Sequence, residues 1–154
     1  APRNIQDFYE TYDINFSKSP LPNHLTIIRS KEFLAFIRNV IEECFYCTLE
    51  ERVDVSAHKL IAGNRIRAHT DFGEVKQSHR LLIQINRGWV PSQGGILILL
   101  DEESPADISP EQKYYLPVHC SLVGFEMAPN SFHAVSKVEY GVRYTLCYSF
   151  YSRS

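Results

Sequence analysis

The segment "RAHTDFG" (67–73) contains a histidine and an aspartate, His69 and Asp71, separated by one residue. Side chains two residues apart on an extended chain point to the same side, so an imidazole and a carboxylate would share one face. Such a face is compatible with a metal site. It is equally compatible with a solvated edge, because the His-x-Asp spacing also arises by chance, and residues from elsewhere in the chain must decide between the two.

A third candidate ligand, His133, lies in "APNSFHAVSKVEYGVRYTL" (128–146), directly after a Pro-Asn turn that begins a predicted strand. A lone histidine in a strand is more often structural than a ligand. Arg143 follows ten residues later on the next predicted strand, with Thr145 two residues beyond it. Across a hairpin of that length, Arg143 can face the same interior as His133.

His69, Asp71 and His133 together would supply two imidazoles and one carboxylate to one face of a metal ion. That arrangement leaves three positions open and is suited to oxygen chemistry at non-haem Fe(II). A chelating 2-oxo acid can fill two of these positions and O₂ the third. A dianionic keto acid also needs a cation for its distal carboxylate, and an arginine fork beside a hydroxyl fits that role.

Two kinds of predicted element would position these residues. In "SKEFLAFIRNVIEECFYC" (30–47), apolar side chains recur every three or four residues and predict an amphipathic helix with Ser30 as its N-cap. From about residue 53, short segments separated by turn residues predict eight strands. These strands are expected at 58–62, 65–71, 79–86, 95–100, 113–119, 121–127, 132–138 and 141–151.

The order of these elements predicts an α+β, mainly β, single domain over 1–154. Helical support would occupy about 1–50, and a β-sandwich or barrel core about 53–151. A chain of 154 residues is long enough for one substantial core.

Charge and composition limit the partners. The net charge is −2, with six Lys/Arg over 58–88 and five acids over 101–111. Solvated faces explain such runs most simply, although a basic surround also suits an anionic small molecule, with His79 and Arg80 as candidate contacts. An acidic chain without an apolar run of membrane-spanning length predicts neither a nucleic-acid nor a membrane partner. The oligomeric state stays open.

The cysteines include a lone C-x-x-C, Cys44 and Cys47, inside the predicted helix. Structural zinc requires four ligands, and no second pair follows. We therefore expect these residues to be small buried hydrophobes in a reduced, intracellular protein, which predicts a cytoplasmic location.

Five segments follow one another along the chain in a recognisable order: "AGNRIRAHTD" (62–71), "INRGWVPSQGGILIL" (85–99), "ADISP" (106–110), "APNSFHAV" (128–135) and "RYTLCYSFY" (143–151). In these segments the chain resembles the Fe(II)/2-oxoglutarate-dependent oxygenases, and specifically their prolyl 4-hydroxylase-like branch. A tryptophan followed by Gly-Gly before a strand is typical of that branch, as is a basic residue nine or ten positions after the second histidine.

The resemblance implies a double-stranded β-helix (jelly-roll) core with one or more N-terminal helices packed on one sheet. It implies that His69, Asp71 and His133 are the iron ligands. It further implies that Arg143, assisted by Thr145, holds the C5 carboxylate of 2-oxoglutarate.

Two positions depart from the family pattern. Leu60 stands where many relatives have a tyrosine nine residues before the first ligand, and Gln84 stands where some have another tyrosine. Because either tyrosine can help to bind the cosubstrate, Gln84 is a candidate amide donor to 2-oxoglutarate. A purely structural polar contact is the alternative for Gln84.

The activity implied by the resemblance is hydroxylation of an aliphatic C–H bond of an amino acid or peptidyl residue, with release of succinate and CO₂. Fe(II), 2-oxoglutarate and O₂ would be required, and ascorbate is a candidate further cofactor. The substrate would be a small molecule or a peptide.

Two other functional classes compete with this interpretation. One is a non-catalytic cupin-like domain that binds a metal or a small acid, and the other is an interaction sandwich with incidental histidines. Cupin-type sites add further histidines and a glutamate in spaced motifs, which this chain lacks. Arg143 and Thr145 after His133 favour the enzyme.

Overall fold

A computed structural model describes residues 3–6, 9–72, 76–100 and 112–153 of the chain. The acidic run at 101–111, which contains "ADISP", lies outside the described residues. The strands are β1 (Arg3–Gln6), β2 (Tyr9–Asn15), β3 (Leu49–Ile61), β4 (Ile66–His69), β5 (His79–Gln84), β6 (Leu97–Leu100), β7 (Lys113–Tyr115), β8 (Leu122–Glu126), β9 (Phe132–Val135) and β10 (Val142–Ser152). One α-helix, α1 (Lys31–Phe45), and short 3-10 helices at Asn23–Arg29 and Pro91–Gln93 complete the described elements.

The strands form two antiparallel layers that face each other. The larger layer has the order β2-β3-β10-β5-β8, with β1 beside β2, and the smaller has the order β7-β6-β9-β4. Pairing of Tyr9 with Ile66 joins the two layers at one edge. Leu82 of the larger layer and Leu97 and Val135 of the smaller one belong to the same buried cluster. The interior between the layers is therefore the main core.

Helix α1 packs on the outer face of the larger layer. The Ser30 side chain accepts a hydrogen bond from the Phe33 N–H, as expected for an N-cap. Ile37 and Ile41 are buried in a second cluster together with Tyr148 and Phe150 of β10. Alternate residues of β10 therefore face the helix, which leaves the residues between them to face the interior.

Each of the eight strands predicted from the sequence is present. β3 begins at Leu49, a few residues before the predicted start of the β-core near residue 53. This earlier start allows β3 to pair with nearly the whole length of β10, from Val142 opposite Ile61 to Ser152 opposite Leu49.

The prediction of helical support over about 1–50 is wrong for its first part, because residues 3–6 and 9–15 form strands. β2 pairs with β3, with Tyr12 opposite Lys59 and Asn15 opposite Ser56. The Thr11 hydroxyl, fully buried, also donates to the Lys59 carbonyl. Backbone pairing with the edge of β3 thus decides the structure of a segment that has no helical apolar stripe.

The expectation that Cys44 and Cys47 are buried is wrong for Cys44, which is exposed on α1, while Cys47 is half-buried. Cys147, for which no such expectation was made, is buried in the main core. Among the described residues, no helix combines the length and the apolar character needed to cross a membrane.

Candidate active site

The three predicted metal ligands come together between the layers. His69 ends β4 and lies directly opposite His133 of β9 in the sheet register, and Asp71 follows two residues after His69. The Asp71 carboxylate oxygens lie 3.6 Å from His69 Nε2 and 3.6 Å from His133 Nε2. Among the described residues, these three side chains form the group placed to hold a metal ion, with one ligand atom from each lying within 4.8 Å of the others.

Both imidazoles are oriented by their other ring nitrogen. His69 Nδ1 is 2.9 Å from the Arg67 carbonyl oxygen, and His133 Nδ1 is 3.4 Å from the Ser131 carbonyl oxygen. Because a carbonyl only accepts, each Nδ1 is the protonated donor, and the Nε2 lone pair is left for a metal.

The charge states of the group also suit a divalent metal. Burial, together with the nearby His69 and Arg80, lowers the pKa of His133 to about 3, so its ring is neutral at neutral pH. Burial alone would raise the pKa of Asp71, but Arg80 and the two histidines lower it by more, so the carboxylate is ionised. Two imidazoles and one carboxylate are a donor set that fits Fe(II).

A cavity of about 340 Å³ opens between the layers at this group. The smaller layer contributes Leu97 and Val135 to its lining, and β3 and β10 of the larger layer contribute His58, Arg143 and Thr145. The predicted metal ligands and the predicted cosubstrate arginine therefore line the same cavity.

Arg143 is 2% exposed and retains an unsatisfied donor. Its Nε donates to the Gly95 carbonyl at 2.9 Å and its Nη1 to the Thr145 hydroxyl at 2.7 Å. Nη2 is buried, and no described residue accepts a hydrogen bond from it. Burial lowers the pKa of Arg143 to about 10, which still leaves the side chain charged at neutral pH. A buried guanidinium with an unused donor at a cavity wall fits an anionic ligand.

Gln84 is linked to Arg143 through the Thr145 hydroxyl. The Thr145 hydroxyl donates to Gln84 Oε1 at 2.8 Å, while Gln84 itself is 2% exposed and lies outside the cavity lining. Its direct contact with 2-oxoglutarate stays a prediction. The geometry favours an indirect role, in which the amide fixes the Thr145 hydroxyl as an acceptor for Arg143.

Replacing Gln84 by leucine tests this arrangement. Without its acceptor, the Thr145 hydroxyl can rotate away from Arg143, and 2-oxoglutarate should bind roughly tenfold more weakly, equivalent to about 1.4 kcal/mol for one lost hydrogen bond. Metal binding should not change. Titration of the metal-loaded protein with 2-oxoglutarate measures the effect, and an unchanged Kd would assign Gln84 to the structure of the sheet alone.

The segment from Trp89 to the Gly94-Gly95 pair positions the Arg143 side chain. The Trp89 indole donates to the Gly94 carbonyl, and the Gly95 carbonyl accepts from Arg143. Gly95 has φ +64°, and a Cβ there would lie 2.9 Å from Arg143 Cδ. Gly95 is thus needed both for its backbone conformation and for the close approach of the arginine.

Gly95→Ala should therefore lower the unfolding free energy by more than the strain of a left-handed backbone conformation alone. Gly88 has φ +67° with nothing within 4 Å of an added Cβ, so Gly88→Ala is the matched control for backbone strain. We expect a loss of about 1–2 kcal/mol in unfolding free energy for Gly88→Ala. Gly95→Ala should lose about 1–3 kcal/mol more from crowding. Urea unfolding of both variants measures the difference, and equal losses would mean that Arg143 has room to move.

Of two further residues of the site, His58 was assigned no role from the sequence, and Arg80 was a candidate contact for an anionic small molecule. His58 of β3 lies between Asp13 and Thr145 in the sheet register, with Nε2 3.2 Å from the Ser56 hydroxyl. The alternation of β3 places His58 on the same face as Leu60, and this periodicity could have indicated it. The Arg80 guanidinium lies in the cavity lining against Asp71.

The other candidate contact for an anionic substrate, His79, lies away from the cavity. Its ring packs against Phe45 of α1, with the ring centres 4.9 Å apart, and its Nδ1 lies 3.0 Å from the Ser78 hydroxyl. The neighbouring positions His79 and Arg80 thus face opposite sides of β5, as alternation along a strand requires.

Family membership follows from comparison with known sequences. Residues 55–149 match the 2OG-Fe(II) oxygenase superfamily, and the chain belongs to that superfamily. A prolyl 3-hydroxylase of Xenopus laevis, OGFOD1, is 29% identical over 132 residues, which are 86% of this chain and 25% of that protein. The chain thus spans a quarter of the length of this curated relative.

Solved structures share the fold at lower identity. A Pseudomonas putida prolyl-4-hydroxylase has a TM-score of 0.67 at 20% identity, covering 94% of this chain and 71% of its own. A Trichoplax adhaerens prolyl hydroxylase, solved in complex with a hypoxia inducible factor oxygen degradation domain peptide fragment, has a TM-score of 0.68 at 14% identity, covering 98% and 66%. These likenesses confirm the double-stranded β-helix fold.

Proposed function

We propose that the chain is an Fe(II)/2-oxoglutarate-dependent dioxygenase that hydroxylates an aliphatic C–H bond of an amino acid or peptidyl residue and releases succinate and CO₂. The observation that carries the proposal is the unsatisfied Nη2 of buried Arg143, in the same cavity as the His69, Asp71 and His133 group. A metal site alone would not require a buried cation, whereas a dianionic cosubstrate does.

When bound, Fe(II) and 2-oxoglutarate would supply the activation of O₂ and the oxidising power for the C–H bond. His69, Asp71 and His133 would hold the metal, and the Arg143 guanidinium would bind and orient the distal carboxylate of the cosubstrate. The facing layers would limit access of water, which strengthens the charge–charge contact at Arg143.

We infer a peptide substrate, with a prolyl residue as the first candidate. Support comes from the names of the relatives, which are prolyl hydroxylases, one of them solved with a peptide. A free amino acid or another small molecule is the second candidate. Ascorbate as a further cofactor, and a cytoplasmic location consistent with four free cysteines, belong to the same proposal.

The decisive assay is formation of succinate from 2-oxoglutarate across a panel of peptides and amino acids. Each prolyl peptide is paired with the same peptide carrying alanine in place of proline, and mass spectrometry tests whether one oxygen atom is gained. An Asp71→Ala protein is the control for the metal site. Metal binding without succinate formation on any substrate would favour the cupin-like binding domain instead.

A further inference from the structure

The second arginine of the cavity, Arg80, is engaged with a metal ligand. Its Nη1 donates to Asp71 Oδ2, and its Nη2 donates to Gln77 Oε1 at 2.8 Å. The side chains of Arg80 and Asp71 are 15% and 19% exposed, so this ion pair is largely shielded from water. Arg80 lies opposite Ser149 of β10 on one side and Phe125 of β8 on the other, so β5 is held by a neighbouring strand on both sides at this position.

The contact of Arg80 makes the two oxygens of Asp71 unequal. Each oxygen lies 3.6 Å from the Nε2 of one ligand histidine, Oδ1 from His69 and Oδ2 from His133, but only Oδ2 also accepts a charge-assisted hydrogen bond from Arg80. An oxygen that is already bound to a guanidinium is a poorer metal ligand than its neighbour, because its lone pair and its negative charge are shared. Hence Oδ1 is the oxygen left for the metal.

We propose that Arg80 is a positioning residue that holds Asp71 as a monodentate ligand through Oδ1, an inference that rests on the proposed function. If Oδ2 also bound the metal, Asp71 would occupy one of the three positions that a chelating cosubstrate and O₂ require. Partners of this kind around a metal site also raise metal affinity, typically by 10–100-fold.

The same contacts distinguish Arg80 from Arg143. Both terminal nitrogens of Arg80 donate to side chains of this chain, whereas Nη2 of Arg143 has no acceptor among the described residues. Arg143 is therefore suited to anchor an external carboxylate, and Arg80 is suited to orient an internal one.

The test uses Co(II) as the metal probe, because its visible spectrum reports the number and arrangement of its ligands. The variants are Arg80→Leu, Arg80→Gln and Arg80→Lys, with Lys76→Gln as the matched control, because it removes the positive charge of an exposed side chain outside the cavity lining. We expect Arg80→Leu and Arg80→Gln to weaken Co(II) binding by about 10–100-fold. Both should also shift the spectrum toward a higher coordination number. Arg80→Lys, which keeps the charge and one donor, should recover part of the affinity, and Lys76→Gln should match the unchanged protein.

The outcomes separate this inference from the proposed function. Failure of the unchanged protein to bind Co(II) would overturn the proposed function and this inference together. Normal binding by the unchanged protein, with the same affinity and spectrum in folded Arg80→Gln, would overturn this inference alone. Arg80→Gln keeps a polar side chain of similar reach, so it gives a result even if Arg80→Leu does not fold.

Discussion

Replacing Arg143 by alanine is expected to raise the Kd for 2-oxoglutarate at least about a hundredfold. Removing one partner of a buried ion pair costs about 3–5 kcal/mol, because the other charge is left buried and uncompensated. In this chain Arg143 is buried, and its Nε and Nη1 already donate to Gly95 and Thr145. The remaining donor, Nη2, is the one left to bind the 2-oxoglutarate carboxylate, so its loss should weaken 2-oxoglutarate binding.

A series at position 143 separates charge from geometry. Arg143→Lys restores the positive charge but cannot reproduce the fork that contacts Gly95 and Thr145, so recovery should be partial. Arg143→Gln keeps much of the volume without the charge and should resemble Arg143→Ala in 2-oxoglutarate binding. Calorimetric titration of Mn(II)-loaded protein in the absence of turnover measures the Kd directly.

Metal binding and folding are the controls for this series. Arg143 is not among the three predicted ligands, so each variant should retain a full equivalent of metal. Circular dichroism should show an unchanged fold. A folded Arg143→Ala protein with an unaltered Kd for 2-oxoglutarate would remove this residue from the site and weaken the proposed function.

The β-core could be predicted because its signals are local. In β10, Tyr148 and Phe150 face the helix and Thr145 and Cys147 face the interior, which is the alternation visible in the sequence. Part of the metal-binding group could also be predicted, because His69 and Asp71 are two residues apart on an extended segment. The position of His133 directly opposite His69 depends on the strand register, which only the folded structure shows.

The N-terminal strands could not be predicted by the same means. β2 carries Thr11 and Asp13 toward polar partners, so it lacks the apolar alternation that marks a strand facing a core. Its structure comes from the unpaired edge that β3 offers, a tertiary effect that no local pattern encodes.

The contacts of Gln84 and Arg80 could not be predicted from the sequence for a related reason. Gln84 lies opposite Thr145 across β10 and β5, and Arg80 reaches Asp71 from another strand. Each role depends on which strands are neighbours. Sequence reasoning therefore singled out Gln84 and Arg80 as candidate site residues but could not identify the side chains that they contact.

Loss of His133 should abolish stoichiometric metal binding. Its Nε2, the Nε2 of His69 and an oxygen of Asp71 lie close enough to share one ion, and two remaining ligands cannot hold Fe(II) as firmly as three. His133→Ala and His69→Ala proteins should each bind far less than one equivalent of Fe(II) under anaerobic conditions. His58→Ala is the matched control, because His58 lines the same cavity but lies outside the ligand group.

Thermal stability gives a second readout of the same prediction. A metal present at a hundred times its Kd stabilises the folded state by about 2.7 kcal/mol, because it binds only that state. We therefore expect Mn(II) to raise the Tm of the unchanged protein and of His58→Ala, but not of His69→Ala or His133→Ala. If both of the latter proteins kept one equivalent of metal and the same rise in Tm, the metal would have to bind elsewhere. The metal site proposed in the cavity would then be wrong, although the Arg67 and Ser131 carbonyls orient both imidazoles for a metal ion.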